Sequence, residues 1–435
     1  MKEELSIFWF RRDLRLDDNA GLYRALKSGL PVLPVFIFDT NILDRLDEKK
    51  DARVEFIYDE LVAIQEDLRK MDSDLVVLQG KPMDAYRELL EKHPGIKAVY
   101  TNTDYEPYAR ERDAEIADFL EKKGIDFKSF KDIVVLEKDE VLKDNGEPYT
   151  VFTPYKNKWL TKLDDFQLKP YPCKKYHKAF LKTRHHRMPT LGELGFERSE
   201  QEIPPRKIPS AIVSTYDKTR DYPAIHGTTR LSIHLRFGTV SIRELVKKAG
   251  ELNATWLSEL IWREFYQMIL WHFPHSAKDS FKPQYDNIKW RNNEKEFELW
   301  CRGETGYPIV DAGMRELNET GFMHNRVRMV TASFLTKHLL IDWRWGEAYF
   351  AEKLLDYDMA SNVGGWQWAA GSGCDAAPYF RVFNPRLQTE KFDKELKYIN
   401  KWVPELNELS YPKPMVDHAA ARERVLSVYK KALNG

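Results

Sequence analysis

Short apolar runs alternate with longer amphipathic segments along the first third of the chain. Four runs are bounded by polar residues, as is typical of strands buried in a parallel sheet: residues 5–10, 32–38, 75–78 and 96–100. Helical periodicity lies between and after them, over residues 19–27, 52–71, 83–92 and 109–123. Gly124 follows the last of these helices, where a C-terminal cap belongs. This alternation predicts a doubly wound parallel sheet with helices on its faces.

Helical periodicity replaces this pattern from about residue 208 onward. A strong helix is predicted over residues 256–266, with an N-terminal cap at Asn253 or Thr255. Its polar and aromatic residues recur at intervals of three and four, so they share one face: Glu259, Trp262, Arg263 and Tyr266. A face with a carboxylate, an indole and a guanidinium is not an ordinary core face. A second helix, over residues 323–338, places Asn325, Arg328 and Met329 on one side.

The predicted organisation is an α/β domain over residues 1–130, an interdomain linker over 131–207 and an all-α domain over 208–435. The linker is rich in Pro, Lys and His and shows little periodicity. Its basic clusters fit a solvated linker, or a surface that helps to attract a phosphate backbone. A last helix is predicted over residues 419–433.

Composition and charge restrict the classes of function. The formal net charge is zero, so any surface for nucleic acid must be local. Three cysteines fit neither a disulfide framework nor a zinc site, so we expect no metal and a reducing, cytoplasmic location. Neither a signal peptide nor a membrane span is predicted. No G-x-G-x-x-G follows the first strand, which disfavours NAD(P)H binding and an ordinary flavin-dependent oxidoreductase.

Three segments of the helical region carry candidate chemistry. In residues 362–381, a Gly-Gly pair precedes Trp366 and Trp368, and glycine lets a backbone approach a large flat group. A loop with core aromatics would contain the same residues. Residues 227–232 offer hydroxyls and backbone N–H groups at a predicted helix start, as an anion site or an ordinary helix cap. Residues 356–358 contain two acidic side chains, which would suit either a solvated turn or a ligand site.

These motifs together resemble the photolyase/cryptochrome family along essentially the whole chain. The matching segments are residues 9–15 (WFRRDLR), 228–232 (TTRLS), 262–266 (WREFY), 306–312 (GYPIVDA), 324–329 (HNRVRM) and 362–381. They are most similar to the class I enzymes that repair cyclobutane pyrimidine dimers. The resemblance implies a helical FAD-binding domain after the α/β domain. It also implies light-driven electron transfer from reduced FAD to a dimer flipped out of UV-damaged duplex DNA.

The resemblance further implies roles for individual residues. The expected FAD contacts are Tyr216, Thr228, Thr229, Arg230, Leu231, Ser232, Trp256, Arg263, Arg328, Asp356, Tyr357, Asp358 and Asn362, with the Asn362 amide facing flavin N5. The expected DNA contacts are Glu259 at the 5′ base, Trp262 and Trp368 as walls, Asn325 and Met329 as floor, and Arg326, Arg381 and Gln388 near the strand. A relay for photoreduction would run through Trp366, Trp343 and Trp290. Glu259, Asn362 and this relay are the expected catalytic residues.

Several alternatives remain open from the sequence. Residues 47–50 (DEKK) depart from the pattern of folate-using members, whereas residues 106–110 (EPYAR) resemble the deazaflavin-using branch, with Asp104 and Arg53 as expected contacts. The second chromophore is therefore a deazaflavin, a folate or absent. The alternative functions are a cryptochrome-type blue-light photoreceptor and a (6-4) or single-strand-specific photolyase. We expect a monomer without an obligate protein partner or a membrane.

Overall fold

The computed structural model describes residues 4–183 and 185–434, and these form two compact units. The first unit comprises Met1–Glu137, Leu163–Arg206 and Leu231–Lys248. The second comprises Lys138–Lys162, Lys207–Arg230 and Ala249–Gly435. An α/β unit and a helical unit confirm the predicted fold class. The domain borders at residues 130 and 207 stay a prediction.

A five-stranded parallel sheet forms the centre of the first unit. Its strands are β1 (Leu5–Phe10), β2 (Val32–Asp39), β3 (Val76–Gly80), β4 (Ile96–Asn102) and β5 (Asp126–Phe130), in the order β3-β2-β1-β4-β5. Ile7 of β1 pairs with Leu33 of β2 and with Val99 of β4, and all three side chains are buried. Strand β5 was not predicted, because its sequence, DFKSF, is polar and mostly exposed at the sheet edge. The order confirms the doubly wound sheet.

Helices connect these strands at the predicted places. They span Ala20–Leu26, Ala52–Arg69, Pro82–Lys92 and Pro107–Glu121. The short helix Thr40–Leu43 was not predicted, and further short helical segments follow at Cys173–Ala179 and Ser232–Arg236. Gly124 has a φ of 71°, and its N–H donates to the Glu121 carbonyl at 2.9 Å. The left-handed conformation at this position suits glycine, which confirms it as the cap.

The second unit is helical. Its longer helices are Phe152–Lys162, Ala254–His272, Glu294–Arg302, Pro308–Thr320, Asn325–Ser333, Trp343–Lys353, Met359–Ala370, Pro385–Phe392, Lys397–Trp402 and His418–Asn434, and helix Ile242–Leu252 crosses the border between the units. Shorter helical segments are Lys138–Glu140, Ser210–Ser214, Tyr216–Thr219, Pro274–Ala277, Pro283–Asn287 and Phe334–His338. The Asn253 side chain accepts from the backbone N–H groups of Thr255 and Trp256 at 3.0 and 3.1 Å, which confirms the cap at Asn253. Within residues 4–183 and 185–434, every helix is too short or too polar to span a bilayer.

Candidate functional site

A cavity of about 390 Å³ lies in the second unit. Helices Ala254–His272, Asn325–Ser333 and Met359–Ala370 contribute to its walls. The lining brings together many residues that the sequence singled out: Glu259, Trp262, Arg263, Asn325, Arg328, Met329, Asp356, Tyr357, Asp358, Asn362, Trp366 and Trp368. A cavity of this size, lined by apolar rings and a few polar groups, is typical of a small-molecule site.

Gly364 and Gly365 in the middle of helix Met359–Ala370 meet different surroundings. A Cβ on Gly364 would lie 2.4 Å from the Tyr266 ring, so the close approach of this side of the helix to Tyr266 requires glycine. A Cβ on Gly365 would meet no heavy atom within 4 Å, and Gly365 lines the cavity. Gly364 therefore serves helix packing, whereas Gly365 leaves space for a ligand.

Asn362 is held in the cavity wall by Glu347. The Asn362 side-chain nitrogen donates to the Glu347 backbone oxygen at 3.1 Å and to Glu347 Oε1 at 2.9 Å. Burial raises the pKa of Glu347, although the hydrogen bond from Asn362 opposes the shift. Because both contacts use the amide nitrogen, the amide oxygen remains as an acceptor. Glu347 lies outside the motifs, so the sequence did not point to it.

Glu259 pairs with Arg220 at the cavity. Arg220 Nη1 donates to Glu259 Oε1 at 2.6 Å, and the Arg220 guanidinium lies 5.4 Å from the centre of the Tyr216 ring. Burial raises the pKa of Glu259, and the neighbouring Arg220 cation only partly offsets this. The Glu259 carboxyl group therefore keeps its proton to a higher pH than an exposed glutamate. Arg220 is a second site residue that sequence reasoning missed.

The acidic residues of segment 356–358 are partnered within the protein. Arg328 Nη2 lies 2.9 Å from Asp356 Oδ2, and Arg328 Nε donates to the Met323 carbonyl at 2.7 Å. Asp358 caps helix Met359–Ala370 and accepts two hydrogen bonds from Gln267 Nε2, at 3.0 and 3.1 Å. These contacts fix a charged rim beside the apolar part of the cavity.

Comparisons with known proteins agree with this geometry. The family model for DNA photolyase matches residues 6–175, and the model for the FAD binding domain of DNA photolyase matches residues 256–410. The chain is 38% identical to the deoxyribodipyrimidine photo-lyase of Vibrio cholerae, over 98% of this chain and 100% of that protein. The chain belongs to the photolyase/cryptochrome family.

Solved structures that are similar to this chain include a photolyase and a cryptochrome. A class III photolyase from Agrobacterium tumefaciens matches with a TM-score of 0.88 and 33% identity, over 100% of this chain and 99% of that one. A Synechocystis cryptochrome matches with a TM-score of 0.85 and 26% identity, over 98% and 99%. The family is therefore shown, while assignment to class I stays a prediction.

The cavity residues fit the FAD of this family. Gly365 leaves open space, the Asn362 oxygen is available as an acceptor, and Arg328 supplies a cation beside Asp356. The alternative that residues 228–232 form an ordinary helix cap is wrong, because helix Ser232–Arg236 begins without a side-chain cap. Leu231 and Ser232 belong to the first unit, and their contact with the cofactor stays a prediction.

The three relay tryptophans lie in or against the main core of the second unit. Trp366 and Trp343 are fully buried, and Trp290 is partly buried and packs against the same cluster. A Cβ on Gly346 would lie 2.1 Å from the Trp366 ring, so glycine is required there. Trp300 is a further buried tryptophan, with its ring centre 6.1 Å from that of Trp366, and the sequence did not single it out.

Several expected site residues do not line this cavity. Tyr216, Thr228, Thr229 and Arg230 lie elsewhere in the second unit, and Trp256 is buried within helix Ala254–His272. Among the expected DNA contacts, Arg326 pairs with Asp221 at 2.6 Å, Arg381 is exposed, and Gln388 is half-buried. Their roles stay predictions.

The two expected antenna contacts in the first unit already have protein partners. Burial opposes ionisation of Asp104, but the Arg12 and Arg11 guanidinium groups outweigh it and lower the pKa of Asp104 to about 2. Arg53 forms an ion pair with Asp51 at 2.5 Å. Any second chromophore would have to share or displace these contacts, so the antenna stays a prediction.

Proposed function

We propose that this chain is a DNA photolyase, which uses light and FAD to split cyclobutane pyrimidine dimers in UV-damaged duplex DNA. One observation supports this most directly. A single cavity combines the Asn362 amide with two indoles, Trp262 and Trp368, and the carboxyl group of Glu259. The Asn362 amide suits the flavin. The two indoles suit the flat faces of two adjoining pyrimidines, and the Glu259 carboxyl group suits a polar edge.

In this proposal, reduced FAD bound here would supply one electron to the dimer on excitation by light and take it back after the ring has opened, so that no net oxidation or reduction occurs. Asn362, held by Glu347, offers its amide oxygen at the flavin side of the cavity. Arg263, Arg328, Asp356, Tyr357 and Asp358 provide the polar wall that binds the cofactor. Trp262 and Trp368 exclude water from the lesion, and Asn325 and Met329 form the floor of the pocket that receives it. This electron transfer requires no nucleophile.

Glu259 should bind the lesion through hydrogen bonds of its carboxyl group, which can donate one only while it is protonated. Glu259→Ala should lower the repair yield, whereas Glu259→Gln, which keeps a neutral donor, should retain most of it. As the pH rises through the raised pKa of Glu259, the wild-type carboxyl group loses its donor proton and lesion binding should weaken. The Glu259→Gln protein should lack this pH dependence. The test is to measure repair yield and lesion affinity from pH 5 to 9. The assignment would be contradicted if both variants behaved as the wild type.

Binding to dimer-containing DNA should weaken as salt is added. The expected log–log slope is about −0.9 for each phosphate contact. Arg381→Ala should make the slope shallower by about one contact and leave lesion preference intact, because phosphate contacts position DNA without reading it. Arg326→Ala should have the same effect; in the wild type, Arg326 would exchange its ion pair with Asp221 for the phosphate contact. Arg302→Ala is a charge-matched control outside the cavity; an equal change there, or a slope of zero, would argue against the assignment.

A blue-light photoreceptor is the second candidate, because a Synechocystis cryptochrome shares the fold over 98% of this chain. Illumination of the FAD-loaded protein with a dimer-containing oligonucleotide separates the two functions. Restoration of the pyrimidines supports the photolyase, and flavin photochemistry without repair supports the photoreceptor. We further propose that the protein acts as a monomer in the cytoplasm, which size measurement of the purified protein and fractionation of cells would test.

A further inference from the structure

Phe152 forms a parallel stack with Trp262. The two ring centres are 3.7 Å apart and the ring planes differ by 9°. Phe152 is only 6% exposed, and its backbone N–H donates to Asp375 Oδ2 at 2.9 Å. Phe152 therefore covers one broad face of the indole that lines the cavity.

The segment that carries Phe152 is anchored to the same helix as Trp262. In helix Phe152–Lys162, Trp159 Nε1 donates to Glu264 Oε2 at 2.7 Å, and both groups are buried. The Tyr155 ring lies 5.2 Å from that of Phe265. The buried Trp159–Glu264 hydrogen bond joins this helix to the helix of Trp262, so the stack of Phe152 on Trp262 follows from the packing of the two helices.

Two further aromatic rings contact Trp262 in other geometries. Phe265 meets the indole edge-on at 5.6 Å and 80°, and Tyr266 is tilted by 35° at 5.4 Å. Neither forms a parallel stack. Because Phe152 stacks on one broad face of Trp262, a planar ligand in the cavity that Trp262 lines would have to stack on the other face.

We propose that Phe152 is a positioning residue for lesion recognition: it holds the Trp262 indole in one plane and leaves a single face for an extruded pyrimidine. This inference rests on the proposed function, in which Trp262 is a wall of the lesion pocket. An aromatic wall that is already ordered loses less side-chain freedom when a base stacks on it. Phe152 thus affects affinity without touching DNA.

The test compares three single variants of the FAD-loaded protein in the dark. Phe152→Leu keeps a buried apolar group but removes the flat ring, and Phe152→Tyr keeps the ring. Tyr155→Leu removes a buried ring from the same helix; its ring partners among the described residues are Tyr149 and Phe265. Affinity for dimer-containing and for undamaged DNA is measured for each variant, with FAD content and melting temperature.

Phe152→Leu should weaken lesion binding by roughly 2- to 10-fold, the cost of ordering one side chain, with undamaged DNA bound as before. Phe152→Tyr should bind the lesion as the wild type does. Tyr155→Leu should lower the melting temperature without changing the preference for the lesion. A destabilised helix alone would make Tyr155→Leu and Phe152→Leu behave alike, and that result would overturn the proposal.

A double mutant tests whether Phe152 acts through Trp262. In a Trp262→Ala background, Phe152→Leu should cause no further loss of lesion affinity, because the positioned ring is gone. An undiminished loss there, or tighter binding by Phe152→Leu, would overturn the inference. If the wild type binds damaged and undamaged DNA equally, the proposed function fails as well; if the wild type prefers the lesion and Phe152→Leu is unchanged, only the role of Phe152 fails.

Discussion

Trp343→Phe should stop photoreduction of oxidised FAD, while repair by chemically reduced protein persists. Phenylalanine is much harder to oxidise than tryptophan. A relay with phenylalanine at position 343 therefore cannot pass an electron towards the flavin. Trp343 is 1% exposed and lies in the same core cluster as Trp366, so both rings are buried in one core. Absorbance of the flavin during illumination with an external donor measures photoreduction, and a dimer-containing oligonucleotide measures repair.

Trp300→Phe is the matched control for this experiment. Trp300 is as deeply buried as Trp343, and its ring centre lies 6.1 Å from that of Trp366. If the electron passes through Trp343 and Trp290, Trp300→Phe should photoreduce at close to the wild-type rate. Loss of photoreduction in Trp300→Phe, with normal photoreduction in Trp343→Phe, would show a different route from the flavin to the surface.

The strands and helices of the α/β unit were largely predictable, because the sequence signals that mark them lie within the elements themselves. A strand buried on both faces is a mostly apolar run; β1 and β2 are buried throughout, and β4 is buried except at Lys97. Strand β5 lacks that signal, since an edge strand exposes polar side chains. Gly124 and Asn253 were found as caps because each cap depends on neighbours only a few residues away.

The candidate site was predictable in its motifs and not in its supporting contacts. Glu259, Trp262 and Asn362 belong to recognisable segments and line one cavity. Their partners Arg220, Phe152 and Glu347 come from other segments, 39, 110 and 15 residues away, and no single-sequence pattern joins them. The segment expected to be a linker supplies Phe152, because helix Phe152–Lys162 belongs to the second unit.

The structure also bears on which lesion the pocket would accept. Repair of a (6-4) photoproduct needs a proton-transferring group in the pocket. His324 is the nearest histidine in sequence to the expected floor residues, but it is 4% exposed and caps helix Asn325–Ser333 through Nδ1. Burial lowers the pKa of His324 to about 4, so the ring is neutral near pH 7. His324 does not line the cavity, which favours cyclobutane dimers as the substrate.

Trp262→Ala should therefore weaken binding to a cyclobutane dimer in duplex DNA by about 5- to 150-fold. Stacking of one base on an aromatic ring contributes roughly 1–3 kcal/mol, and alanine leaves no ring to receive it. Trp262→Phe, which keeps a flat face, should retain most of the affinity, and affinity for undamaged DNA should change little in either variant. Equilibrium binding in the dark measures these effects, with matched oligonucleotides that carry a cyclobutane dimer, a (6-4) photoproduct or no lesion. Light-driven restoration of the (6-4) oligonucleotide, with no activity on the cyclobutane dimer, would contradict the assignment, because the pocket would then need an acid that neither Asn325 nor Met329 supplies.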